Sequence, residues 1–96
     1  MSKFHKLVSR KGKIFIAEFT IIHTLKGAKY HVAIREGFRI SSYFLMIEQS
    51  GDWAIFDTVG SVPNWILLLQ NTLSGIINVE LKKKACQVEI PLVHLN

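Results

Sequence analysis

The chain carries one cysteine, Cys86, and no CxxC or Cys/His cluster. An internal disulfide and a cysteine-based zinc site are therefore excluded, and a reducing cytosol is the expected setting. In the strand expected around it, Cys86 reads as a buried, inert thiol rather than a nucleophile. The six glycines are spread singly, at positions that read as turns. No GxGxxG, GxxxxGK, GxSxG, HExxH or EF-hand pattern occurs, so neither phosphate cradles nor the common catalytic motifs are legible. Acidic residues are few, 7 against 12 Lys and Arg. No stretch approaches the ~20 apolar residues of a membrane-spanning helix, and the basic N-terminus lacks an apolar run of signal-peptide length. The expectation is a soluble, cytoplasmic, non-enzymatic protein without cofactor or metal.

What the chain has in quantity is apolar residues. They make up 49% of 96 residues, with only 20% charged, which excludes disorder and predicts a single domain over 1–96. A chain of this size buries a little over ~60% of its unfolded surface, enough for a core without staples. The apolar share is generous for that interior, which points to surface buried against a second chain. The net charge of +5 suits either an anionic partner such as nucleic acid or plain solubility.

Residues 62–77 hold the clearest helical pattern. At roughly 100° per residue, Trp65, Ile66, Leu68, Leu69, Leu73, Ile76 and Ile77 fall on about half of the circumference. Gln70, Asn71 and Ser74 fall on the other half, and Leu67 is the one apolar residue out of place. Ser61 reads as the N-cap, Pro63 as a first-turn residue and Asn78 as the C-terminal cap.

Upstream, the chain reads as strands. Lys13 to Ile22 sets Phe15, Ala17, Phe19 and Ile21 on one face and Ile14, Ile16, Glu18, Thr20 and Ile22 on the other. A strand apolar on both faces is central and needs cover on both sides. His23 to Lys29 is a turn, Tyr30 to Arg35 a half-buried strand, and Glu36-Gly37 a second turn. Arg39 to Glu48 changes parity, with a bulge or bend expected at Ser41-Ser42. Gln49-Ser50-Gly51-Asp52 is a hairpin turn, and Trp53 to Thr58 a fourth strand. Residues 1–12 are basic and read as a frayed terminus or a short strand. Residues 79–96 read as a C-terminal strand or tail, with Cys86 to Val93 as a strand that Pro91 sends to a sheet edge.

The fold class is thus α+β: a curved, mostly antiparallel sheet of four to five strands packed on one helix, in ββββα order with that final edge strand. The expected core is Phe15, Phe19, Val32, Ile34, Phe44, Ile55, Phe56, Trp65, Leu69 and Leu73. Element order is similar to the ββββα plan of Whirly-like and Pur-type single-strand binders. That resemblance implies dimerisation and nucleic acid held on the sheet.

Few residues invite chemistry. His23 and His31 flank a turn that brings them near one another, but no third ligand is evident. His5 and His94 read as surface residues. Asp52 and Asp57 flank the fourth strand, as turn and strand-end residues rather than an acid/base pair. Lys29, His31, Arg35 and Arg39 lie on or beside one strand face, with Tyr43 or Trp53 to offer a ring. With Lys82, Lys83 and Lys84 they form the candidate nucleic-acid site. The alternative is a homodimeric assembly or protein-interaction module that works through its excess apolar surface. A small-ligand pocket between helix and sheet is a third, weaker reading.

Overall fold

A computed structural model describes residues 3–56 and 60–95, with side-chain environments as far as Lys83. Five strands form one antiparallel sheet in the order β1-β2-β3-β4-β5. They are β1 (Lys3–Arg10), β2 (Lys13–Thr24), β3 (Gly27–Glu36), β4 (Arg39–Gln49) and β5 (Asp52–Phe56). A one-turn helix, α1 (Asn64–Leu67), and a long helix, α2 (Gln70–Leu95), follow. This is the expected α+β plan, with residues 3–10 supplying the fifth strand in place of a frayed terminus. Basic residues conceal β1 in the sequence, yet Phe4 and Val8 alternate onto the side of the sheet that the helices cover.

Sequential strands pair because their turns are tight. Lys11 and Gly12, like Ser50 and Gly51, all take positive φ, the geometry that matches the twist of paired strands. The register of β4 slips opposite Ile34 and Arg35, which face Ser42 and Ile40, so Ser41 is the extra residue. The bulge expected at Ser41-Ser42 is therefore present, and it resets which side chains of β4 face the helices.

The core lies between the sheet and the helices. Phe15, Ala17, Phe19, Tyr30, Val32, Ile34, Phe44, Met46 and Trp53 meet Val62, Ile66, Leu73 and Ile77 there. Phe4 stacks on Phe19 at 4.7 Å between ring centroids, and Tyr30 meets Trp53 edge-on at 5.0 Å. Ile55, Trp65 and Leu69 pack against this cluster half-buried. Phe56 departs from expectation at 47% exposed: Trp53 and Ile55 point to the core, so the period of two turns Phe56 the other way.

The helical region also differs from its sequence reading. In place of one helix over 62–77, a turn at Leu68-Leu69 separates α1 from α2, closed by the short bond from Leu69 N–H to the Ile66 carbonyl at 2.9 Å. Pro63, extended at φ −61° and ψ 150° and without a side-chain cap, is the N-cap in place of Ser61. At the far end, α2 continues to Leu95 through the segment read as a strand. Between Gly75 and Pro91 the chain contains no breaker, and Leu81-Lys82-Lys83-Lys84-Ala85 are strong helix formers. The alternation of Cys86, Val88, Ile90 and Leu92 is too short to outweigh that. Among the described residues, no helix is long and apolar enough to cross a membrane.

Helix α2 also closes one sheet edge. The outward N–H groups of β5 have no strand partner. Trp53 N–H instead donates to Ser74 Oγ, and Ile55 N–H to Gln70 Oε1, each at 2.9 Å. Asn78 Oδ1 accepts from the Trp53 indole N–H at 3.2 Å, and Asn78 Nδ2 donates to the Gly51 carbonyl at 3.3 Å. Asn78 is thus a mid-helix ligand of β5 rather than a cap. The match is metrical: two strand residues advance ~6.6 Å and four helix residues ~6 Å. A polar side chain every fourth residue therefore meets every second residue of β5.

Candidate functional site

The helices cover one face of the sheet, and no described element covers the other. Register places its side chains in rows across the strands. Leu7, Ile16, Arg35 and Ile40 form one row; His5, Glu18, Ala33 and Tyr43 the next. Lys3, Thr20, His31, Leu45 and Phe56 follow, then Ile22, Lys29, Ile47 and Ala54. The face is mainly aliphatic and aromatic. Leu7 is 67%, Ile14 63% and Tyr43 66% exposed, with Ile40 at 54%. The apolar second face expected of β2 continues on β4 and β5, while β1 adds only Leu7 and β3 crosses it with Lys29, His31 and Arg35.

One ion pair stands near its middle. Arg35 Nε lies 3.6 Å from Glu18 Oε1, and their side chains are 32% and 23% exposed. That separation is long for a hydrogen bond, so among the described residues Arg35 Nε, shielded from solvent, has no hydrogen-bond partner. The His31 and Tyr43 rings lie beside the pair, 5.7 Å apart.

The candidate nucleic-acid residues do not assemble into one surface. Lys29, His31 and Arg35 share the open face of β3, and Glu18 offsets the charge of Arg35. Arg39 pairs with Glu36 across the β3–β4 turn, on the opposite parity from Arg35. Lys82 and Lys83 are exposed on α2, beyond the point where Asn78 draws level with the β4–β5 turn; the side chain of Lys84 lies outside the described residues. Of the two rings, Tyr43 is on the open face and Trp53 is in the core.

His23 and His31 do not meet either. Opposite parity in β2 and β3 sends them to opposite faces, and among the described residues no group of three His, Cys, Asp or Glu side chains is placed to share a metal. Asp52 is exposed at the start of β5; Asp57 lies outside the described residues, as do the environments of Cys86 and His94. Sequence reasoning missed Leu7 and Tyr43 as surface-forming partners of β2. The signal was present in the alternation of β1 and in the parity change at Ser41. The chain matches no family model, no curated protein and no solved structure.

Proposed function

We propose that the protein is a non-catalytic assembly module that pairs with a second copy of itself through the open face of the sheet. The observation that carries this is the open face of β1 to β5, in which Leu7, Ile14, Ile16, Ile22, Ile40, Tyr43, Leu45, Ile47 and Phe56 surround a polar centre and which no described element covers. Five strands at ~4.8 Å spacing and a mean length near ~30 Å give a face of roughly 700 Å². A stable interface buries ~800 Å² per partner, so the face is of the size a dimer uses.

A second copy is also the occupant that fits the face chemically. A two-fold axis lying between two such sheets sets the face against itself, apolar rim on apolar rim, and brings two Glu18–Arg35 pairs close together. Each Arg35 Nε then has a second carboxylate within reach, and an ion pair that weakens the face alone is satisfied in the pair. Sheet packed on sheet at ~10 Å is a common two-layer solution. The lone Cys86 suits a reducing cytoplasm.

The test is a solvent paramagnetic probe on methyl resonances of the full chain. Leu7, Ile14 and Leu45 methyls should be shielded while the helix residue Leu68 stays exposed. Equal attack on all four would remove the proposal. Nucleic acid is the weaker reading, favoured by His31 beside the exposed Tyr43 ring and by Lys29 further along the same strand face; oligonucleotide titrations at two salt concentrations separate it from assembly.

A further inference from the structure

At the end of the sheet where β1 turns into β2, on the helix side, lies a cleft of about 360 Å³. Its wall includes Arg10, Lys11, Lys13, Glu36, Ser41 and Trp65. The volume falls in the range of small-molecule sites, ~300–1,000 Å³. Because it opens on the helix side, pairing through the opposite face leaves it accessible.

Its electrostatics are one-sided. Arg10 and Lys13 are register partners, so both side chains project to the same side of the hairpin, with Lys11 at the turn between them. Glu36 is the lone carboxylate of the cleft wall, 4.0 Å from Lys13 Nζ, and both side chains are more than half exposed. An exposed pair at that distance neutralises little. Arg10 has no carboxylate partner among the described residues. Its guanidinium lies 5.2 Å from the centroid of the Trp65 ring, and that ring is in turn held by Phe15 at 5.0 Å. A guanidinium held over an aromatic ring is restrained by a cation–π contact that uses none of its N–H donors, and a guanidinium can present two of those donors to a tetrahedral oxyanion.

We infer that this cleft binds a phosphate monoester, with Arg10 as the bidentate anchor, Lys11 and Lys13 as supporting charges and Trp65 as the platform that holds the anchor. A phosphate monoester carries a charge near ~−2 at neutral pH, which balances the excess of two positive charges on the cleft wall. A monocarboxylate supplies half of that charge and fewer acceptor oxygens.

The test uses the full chain and the two indole N–H resonances of its NMR spectrum. Trp65 lines the cleft, and Trp53, buried in the core, is the internal reference. Inorganic phosphate and phenyl phosphate are titrated to about 20 mM at constant ionic strength, with acetate as the comparison anion. The expected result is a saturable shift of the Trp65 signal with both phosphates, an unmoved Trp53 signal, and about tenfold weaker binding in Arg10→Gln. Lys26→Gln, exposed in the β2–β3 turn at the far end of the sheet, should bind as the parent does. If Arg10→Gln also displaces the Trp53 reference, its fold is altered, and Lys11→Gln must then show the weakening. A response equal to that with acetate, no saturation, or undiminished binding in the cleft variants would overturn the inference.

Discussion

Replacing Ser74 by alanine should cost far more than its position on a polar helix stripe suggests. Ser74 is 5% exposed, and its Oγ accepts the outward N–H of Trp53 at 2.9 Å. Truncation leaves that amide buried without an acceptor, a loss of about 1–3 kcal/mol. Alanine returns up to ~0.5 kcal/mol through its better helix propensity. The net loss is about 1–2 kcal/mol, and at ~4–8 °C per kcal/mol for a chain of this size the melting midpoint falls by ~5–15 °C. Gln70→Ala removes the acceptor for Ile55 N–H in a half-buried setting that water reaches, so its cost is smaller, about 0.5–1 kcal/mol. Asn71→Ala and Thr72→Ala, exposed on the same helix, should stay within ~0.5 kcal/mol of the parent. Thermal and urea unfolding followed by circular dichroism supplies the energies. Hydrogen exchange should locate the effect at the Trp53 amide. A Ser74→Ala variant as stable as Asn71→Ala, with Trp53 still protected, would refute the idea that α2 serves as the missing neighbour of β5.

Tyr30→Phe should leave stability unchanged or raise it by about 1 kcal/mol, because the Tyr30 hydroxyl is buried without a hydrogen-bond partner among the described residues and its removal ends a desolvation cost; a loss above ~1 kcal/mol in urea melts would show that the hydroxyl is used. Burial, and then the Glu80 carboxylate, hold the Tyr30 phenol above its ordinary value of 10.0. The unfolded chain therefore releases this proton at lower pH than the native one, so Tyr30 leaves stability flat below about pH 10 and lowers it as pH rises beyond. Urea midpoints measured from pH 8 to 11 should fall more steeply for the parent than for Tyr30→Phe, and parallel curves would contradict that sign.

The parts of the fold that were legible are those in which local pattern and tertiary demand agree. In β2, Phe15, Ala17, Phe19 and Ile21 alternate with Ile14, Ile16 and Ile22, and that pattern announces both the covered face and the open one. Ser41 was legible as an irregularity because the apolar parity changes around it. Strand β1 was obscured by Lys3, Lys6 and Arg10: an edge strand tolerates charge that a central strand does not. The stripe of Gln70, Ser74 and Asn78 looked like a solvated helix face, since composition does not distinguish a side chain bonded to water from one bonded to a strand edge. Its spacing of four, matched to two-residue steps in β5, was the available clue. The basic residues were grouped as one site because sequence proximity carries no parity: Arg35 and Arg39 stand four apart, yet the bulged hairpin sends them to different sides. Arg10, Lys11 and Lys13 drew attention only as terminal charge, and it takes Trp65 from α1 to turn them into a cleft.

Whether a second copy covers the open sheet face is decided by sedimentation equilibrium of the full chain. The expected mass is twice that of the 10.9 kDa chain, falling to a single chain in the double variant Leu7→Asp with Tyr43→Asp. Both positions are exposed in the isolated chain, so the variant should keep its circular dichroism while losing its partner; short aspartates cannot snorkel out of a buried interface. A parent that sediments as one chain at every concentration, or a double variant that still pairs, would contradict the account.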